Sequence, residues 1–345
     1  MSPSLAPLCL ALAIAAPPAY RLEATPTKEI EAVLTQDFHA PEFHATEWVF
    51  AGPRPPELLS QRDIKAELIV VGHKTEHSIP HHALMIARIP VHGAQTMKVE
   101  MKFRALLRMV KLVELEPGAK HAPAPPLTAE ERKEWLAQTD GLDYEAKPFQ
   151  EWLTHHKLRR EKQETDIEFA RRVHVFIATH FKYHYAAEMN RKPAAVAHAG
   201  QSDCGGIASL FVSTLRASRI PSRTLIGRWA ASAKKDEKVG GLPFYQTHVK
   251  AEFHAEGVGW VPVDPTGGVG QGAKVDDFYF GREGGDFLTM SLPVEHHFEI
   301  PGLGKQKVGG MQGVAYWGLG KGNLKVKESE DWKVEARLIH SEKKK

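Results

Sequence analysis

The hydrophobic pattern changes period along the chain. Ile64, Ala66, Leu68 and Val70 alternate with Lys65 and Glu67, and Val99, Met101, Phe103 and Ala105 alternate with Lys98, Glu100, Lys102 and Arg104. A period of two gives each segment one dry and one wet face, so residues 45–118 read as antiparallel strands. A sandwich-like packing buries such faces most economically. The proline-rich stretch PGAKHAPAPPL (117–127) favours neither helix nor strand. After it the period becomes helical. Thr128 with Glu131 and Thr165 with Glu168 fit capping boxes. The second predicts a helix near 166–181 that buries Phe169, Ala170, Val173, Phe176 and Ile177. Alternation returns in THVKAEFHA (247–255), and a glycine turn then leads to a short β-prone run ending at Asp264. Pro265 biases its predecessor towards extended backbone, so Asp264 is expected to end a strand and not to start a helix. Further on, FYFG (278–281) predicts a last core strand and 332–338 a returning one, whereas the glycine-rich residues 301–322 are expected to be irregular.

The richest stretch is HAGQSDCGGIASLFVSTLRASRIPSR (198–223). Ile207, Leu210, Phe211, Thr214 and Leu215 share one helical face, with Arg216, Arg219 and Arg223 near or beyond the C-terminal end. Cys204 falls in the first turn, where unpaired N–H groups and the helix dipole favour an anion and hence the reactive thiolate. Gly205 and Gly206 let another segment approach closely. A buried, inert thiol is the alternative, since that is what most free cysteines are. Two later residues favour chemistry. His248 lies 44 residues beyond Cys204, and Asp264 a further 16. A histidine can take the thiol proton while a carboxylate fixes its tautomer. If the strands bearing His248 and Asp264 pair through the glycine turn, the two side chains meet at the sheet edge.

These blocks resemble the transglutaminase-like superfamily, whose core reads roughly G-x-x-C…aLF…lR…GIPaR, then H-a-W-x-E, then GW-x-P-V-D-P-T. The chain supplies Cys204, Leu210-Phe211, Leu215-Arg216, Ile220-Pro221-Ser222-Arg223, His248 with Glu252, and Trp260 through Thr266, over about residues 165–270. It departs at Ser218-Arg219, in place of A-G, and at Lys250, in place of the tryptophan, which bears on the shape and polarity of the substrate groove. The resemblance implies an α+β, papain-like catalytic domain in which the Cys204 helix packs on an antiparallel sheet, preceded by a β-sandwich-like domain. It implies acyl transfer on protein or peptide amides through a thioester, with Cys204 as nucleophile, His248 as acid–base and Asp264 as orienting carboxylate. Water as acceptor makes a protease or amidase, and a lysine amine makes a cross-linking transferase. Hydrolysis is favoured here because no segment identifies a water-excluding acceptor channel. The oxyanion would be met by the Cys204 backbone N–H and by one of Tyr183, Tyr185 or Gln201. The competing class is a catalytically silent binding module at the cell envelope.

Composition narrows the rest. With 345 residues, 42% hydrophobic and 25% charged, the chain has the make-up of an ordinary globular protein of two domains. A net charge of +3 argues neither for nucleic acid nor for a membrane surface. The apolar run LAPLCLALAIAA (5–16) is too short for a comfortable membrane span and is followed by small residues, so 1–19 is expected to be a cleavable signal peptide despite having no Lys or Arg before the run. Export to a periplasmic or extracellular space would remove Cys9 and leave Cys204 as a lone thiol in an oxidising compartment, a further mark of reactivity. The expected layout is a β-rich domain at 25–118, a linker at 119–127, a catalytic domain at 128–285 and an irregular extension at 286–345. No nucleotide loop, EF-hand or repeat implies a cofactor. His77, His81, His82 and His92 at strand ends, and His180 with His184 at a helix end, are read as ordinary surface residues, not metal ligands.

Overall fold

The computed structural model describes residues 19–75, 81, 83–116, 118–119, 121–269 and 278–339. Residues 1–18 of the expected signal peptide, Cys9 among them, and His77 and His82 lie outside the described residues. Five strands open the chain: β1 (Tyr20–His39), β2 (Phe43–Pro53), β3 (Gln61–Val70), β4 (Leu84–Pro90) and β5 (Thr96–Glu114). Then come α1 (Ala129–Trp135), α2 (Lys147–His155), α3 (Asp166–His180), the short β6 (Lys182–Tyr183), α4 (Pro193–Ala199), β7 (Gln201–Ser202) and α5 (Cys204–Ala217). The next group is β8 (Ser222–Trp229), β9 (Lys238–Val239), β10 (Leu242–Pro243), β11 (Thr247–Ala255), β12 (Gly259–Val263) and α6 (Pro265–Gly268). The chain closes with β13 (Arg282–Glu283), β14 (Phe287–Ser291), β15 (His296–Ile300), β16 (Gly304–Val308), β17 (Ala315–Gly322) and β18 (Lys327–Leu338).

The alternating segments become the sandwich. β5 buries Met97, Val99, Met101, Phe103 and Ala105 while Lys98, Lys102, Arg104 and Lys111 stay exposed. One sheet runs β13-β5-β1-β18 with β3 also on β5, the other β17-β2-β4. Leu34, Phe38, Trp48, Phe50, Met101 and Trp332 join both in one core. The described residues 286–339 correct the expected irregular extension, and the strand expected at 332–338 lies within β18. They supply β14 to β8, β17 to β2 and β18 to β1, with Leu34 opposite Trp332. Glycine misled here. Gly320 reads as a breaker, yet a Cβ on it would sit 2.2 Å from the His44 carbonyl oxygen, so the strand needs glycine to approach β2.

A separate four-stranded sheet runs β12-β11-β8-β14, all antiparallel. Both capping boxes form, at Thr128–Glu131 and Thr165–Glu168. The face expected on α3 is buried at Phe169, Ala170, Val173 and Ile177, with Phe176 only partly covered. On α5 all five expected residues are buried, but so are Ala208, Val212, Ser213 and Arg216. This helix is therefore enclosed nearly all round, between α3, α4 and the sheet, and not merely on one stripe. The Arg216 guanidinium donates to the Ser222 and Ala137 carbonyls, and burial pulls its pKa down to about 10. The FYFG stretch forms no extended strand, only a bridge from Phe280 to Val263, with Asp264 N–H donating to the Tyr279 carbonyl at 2.8 Å. Among the described residues no helix is long and apolar enough to cross a membrane.

Candidate active site

Local chemistry sets the start of α5. Asp203 is its N-cap, with Oδ1 accepting from Gly206 N–H at 3.1 Å. Its Oδ2 accepts from Arg191 Nε at 2.8 Å, so the cap is buried as an ion pair. Cys204 is the first helical residue, half-buried and not in a disulfide. Gly206 allows the preceding strand to close in, since a Cβ there would meet Ser202 Oγ at 2.0 Å. The sequence reading overlooked Asp203 and Arg191. An aspartate immediately before a helical apolar run was the available signal for the cap.

The turn at 256–258 pairs β11 with β12, setting Ala251 opposite Val263. That register carries His248 and Asp264 to one end of the hairpin, where His248 Nε2 donates to Asp264 Oδ2 at 2.9 Å. With Nε2 committed to Asp264, Nδ1 is the ring nitrogen left for Cys204, which lies near enough to help raise the His248 pKa. The imidazole stacks on Trp229, with centroids 4.8 Å apart and planes at 19°. Both His248 and Asp264 are buried. Burial resists a charged His248, but the Asp264 charge and hydrogen bond, with Cys204, overcome it and lift the pKa to about 9. Burial likewise resists ionised Asp264, yet His248, Lys250 and the Gly267 N–H hold its carboxyl below the usual range. Asp264 corrects one expectation. It ends β12 but also caps α6, its Oδ1 accepting from Gly267 N–H at 3.0 Å, because Pro265 has the fixed φ suited to a first helical position.

The three oxyanion candidates separate. Across the parallel β6–β7 bridge Tyr183 pairs with Ser202, two residues before Cys204. Tyr183 is 45% exposed. Partial desolvation, then the nearby Cys204 and Asp203 charges, push its phenol up to about 12, so it remains an O–H donor at neutral pH. Tyr185 instead packs under the turn of the β9–β10 hairpin, 3.0 Å from where a Cβ on Gly240 would lie. Gln201 is exposed. His180 stacks on Phe176 at 4.1 Å, and His81 lies edge-on to His296 at 5.1 Å. No group of three or more His, Cys, Asp or Glu among the described residues is arranged to hold a metal ion.

Lys250 points inward. It is buried, donates to Glu283 Oε2 at 2.9 Å and lies 4.3 Å over the Trp229 ring. Its charge therefore meets a buried carboxylate and an aromatic face, not an open groove. Glu252, two residues on, pairs with Arg223 at 2.5 Å, and that guanidinium lies between the Trp135 and Trp260 rings at 4.7 and 3.9 Å.

A family model and one solved structure agree with this architecture. A family model for the transglutaminase-like superfamily matches residues 155–265. A solved Cytophaga hutchinsonii protein described as a candidate cysteine protease is 11% identical with a TM-score of 0.58, covering 93% of this chain and 94% of its own. The periplasmic domain of TgpA from Pseudomonas aeruginosa, bound to ethylmercury, is 13% identical with a TM-score of 0.32, over 72% of this chain and 92% of its own. No curated protein matches the chain. The Cytophaga likeness is one of fold, in both the helical core and the strand-rich regions. Residues 155–265, with Cys204 at the helix start and His248 and Asp264 on the hairpin, belong to the transglutaminase-like superfamily.

Proposed function

We propose that the chain is an exported cysteine enzyme that hydrolyses amide bonds of proteins or peptides. The Cys204 sulfur, its proton passed to His248, attacks the carbonyl carbon, forming a C–S bond and an oxyanion. The Cys204 backbone N–H and the Tyr183 phenol are the proposed donors to that oxyanion. Collapse breaks the C–N bond as His248 gives its proton to the leaving amine. Water, deprotonated by His248, then attacks the thioester and releases the acid. Cys204 is half-buried and not sealed, so water has access to the thioester, which favours hydrolysis over transfer to an amine. One observation carries the reading: a buried His248–Asp264 hydrogen bond of 2.9 Å beside a thiol at a helix N-terminus.

The test is a pool of glutamine-containing peptides, read in parallel for cleavage, ammonia release and amine incorporation. Cleavage or ammonia release is expected. The rate should fall as pH rises through about 9, where His248 loses the proton it must deliver. Stability follows the same sign. A folded value above the ordinary 6.5 stabilises fully below that pH, and the contribution is lost by about 9. Amine incorporation without hydrolysis would make the protein a cross-linking transferase instead. A pool left wholly unchanged, with Cys204 no more reactive than a free thiol, would favour the silent binding module.

A further inference from the structure

The acid–base assignment leaves unexplained a group of buried contacts made by residues far beyond the matched domain. Gln312, in the segment between β16 and β17, directs its side-chain amide nitrogen at two carbonyls, Gly227 and His248, each at 2.8 Å. These two residues face each other across β8 and β11. The amide therefore bridges the strands at the register position of the proposed base, holding the His248 peptide from outside the sheet.

The bridge is itself held. Arg228 Nε donates to the Gln312 backbone carbonyl at 2.8 Å, and Arg228 Nη1 donates to Tyr245 O and to Glu330 Oε1, both at 2.9 Å. Met311 is tied to Ser291 in both directions, and Val314 N–H donates to Gln36 Oε1 at 2.7 Å. A second route reaches the ring. Trp332 Nε1 donates to the Trp229 carbonyl at 3.0 Å, and Trp229 is the residue on which His248 stacks. Buried contacts that fix a reacting group's backbone and ring plane restrict it to one geometry, and small displacements of such a group are costly in rate.

We infer that Gln312 is a positioning residue for His248, and that strands at the C-terminal end of the chain complete the active site in cis. The inference rests on the reading of His248 as the acid–base group. Gln312→Met keeps the length and removes both donors. The probe is iodoacetamide, with the second-order rate of Cys204 alkylation followed from pH 5 to 10 and thermal unfolding measured beside it. The expected result is a rate about tenfold or more lower at pH 5.5, with the acid limb displaced to higher pH and the unfolding midpoint nearly unchanged. A purely structural anchor would lower the midpoint and leave the profile of the folded protein alone. Should Gln312→Met not fold, Gln312→Asn, whose amide stops one methylene short, gives the same reading. A folded variant with the wild-type rate and profile overturns the inference alone. A wild-type Cys204 no more reactive than a free thiol removes the catalytic reading, and the inference with it.

Discussion

Turnover is expected to fall to background in Cys204→Ala and in His248→Ala, and to remain above background in Asp264→Asn. The first two remove the proposed nucleophile and proton carrier. The third is decided by hydrogen-bond direction. Asp264 accepts from His248 with Oδ2 and from the Gly267 N–H with Oδ1. An asparagine that keeps its oxygen on Gly267 turns its NH2 towards His248 Nε2, which must then accept. The neutral ring consequently carries its proton on the nitrogen that faces the thiol, the wrong tautomer for a base. In serine-protease triads the corresponding change costs about 10⁴-fold. A thiol ionises far more readily than a hydroxyl, and an imidazolium carries both protons regardless of its partner, so the loss here should be smaller. The peptide-pool assay reads all three variants. Full activity in Cys204→Ala would put the chemistry elsewhere.

The second large effect is on stability. Arg223→Ala or Glu252→Ala is expected to cost roughly 3–5 kcal/mol, because each leaves the other charge buried without its partner. Arg223 is 8% exposed and Glu252 6%, and the guanidinium is enclosed by two indole faces. Urea denaturation of each variant measures the loss. The paired replacement Arg223→Met with Glu252→Leu should recover much of it, since neither charge then needs a partner. Alkylation of Cys204 in the folded single variants should match wild type. Both residues belong to the superfamily motif, but in this chain they brace the sheet. Equal stability in either single variant would mean the pair is not what joins β8 to β11 there.

What was readable in advance follows from the range of the determinants. The Cys204 helix, both capping boxes and the β11–β12 hairpin depend on residues within about one element of each other, and local pattern finds such features. The alternation of β3 and β5 was equally plain. Of the C-terminal strands only 332–338 was readable, as part of β18. β14 to β17 were not, nor were the registers of β17 and β18, whose partners lie more than 260 residues away, Leu34 for Trp332 and Phe50 for Tyr316. Lys250 looked like a change to the groove because its partner, Glu283, comes 33 residues later, on β13 at the edge of the sandwich sheet. Gln312 carries no motif at all. Its role depends on two backbone carbonyls, and a sequence does not display those.

The most direct measurement is the rate at which iodoacetamide alkylates Cys204 at pH 5.5, compared with a free thiol of ordinary acidity and with His248→Ala. A free thiol is thiolate to only about one part in a thousand at that pH. If Cys204 and His248 share a proton as the geometry suggests, the wild-type protein should react at least tenfold faster than the free thiol, and His248→Ala should lose that advantage. A wild-type rate no higher than that of the free thiol, or one unaltered by His248→Ala, would contradict the account.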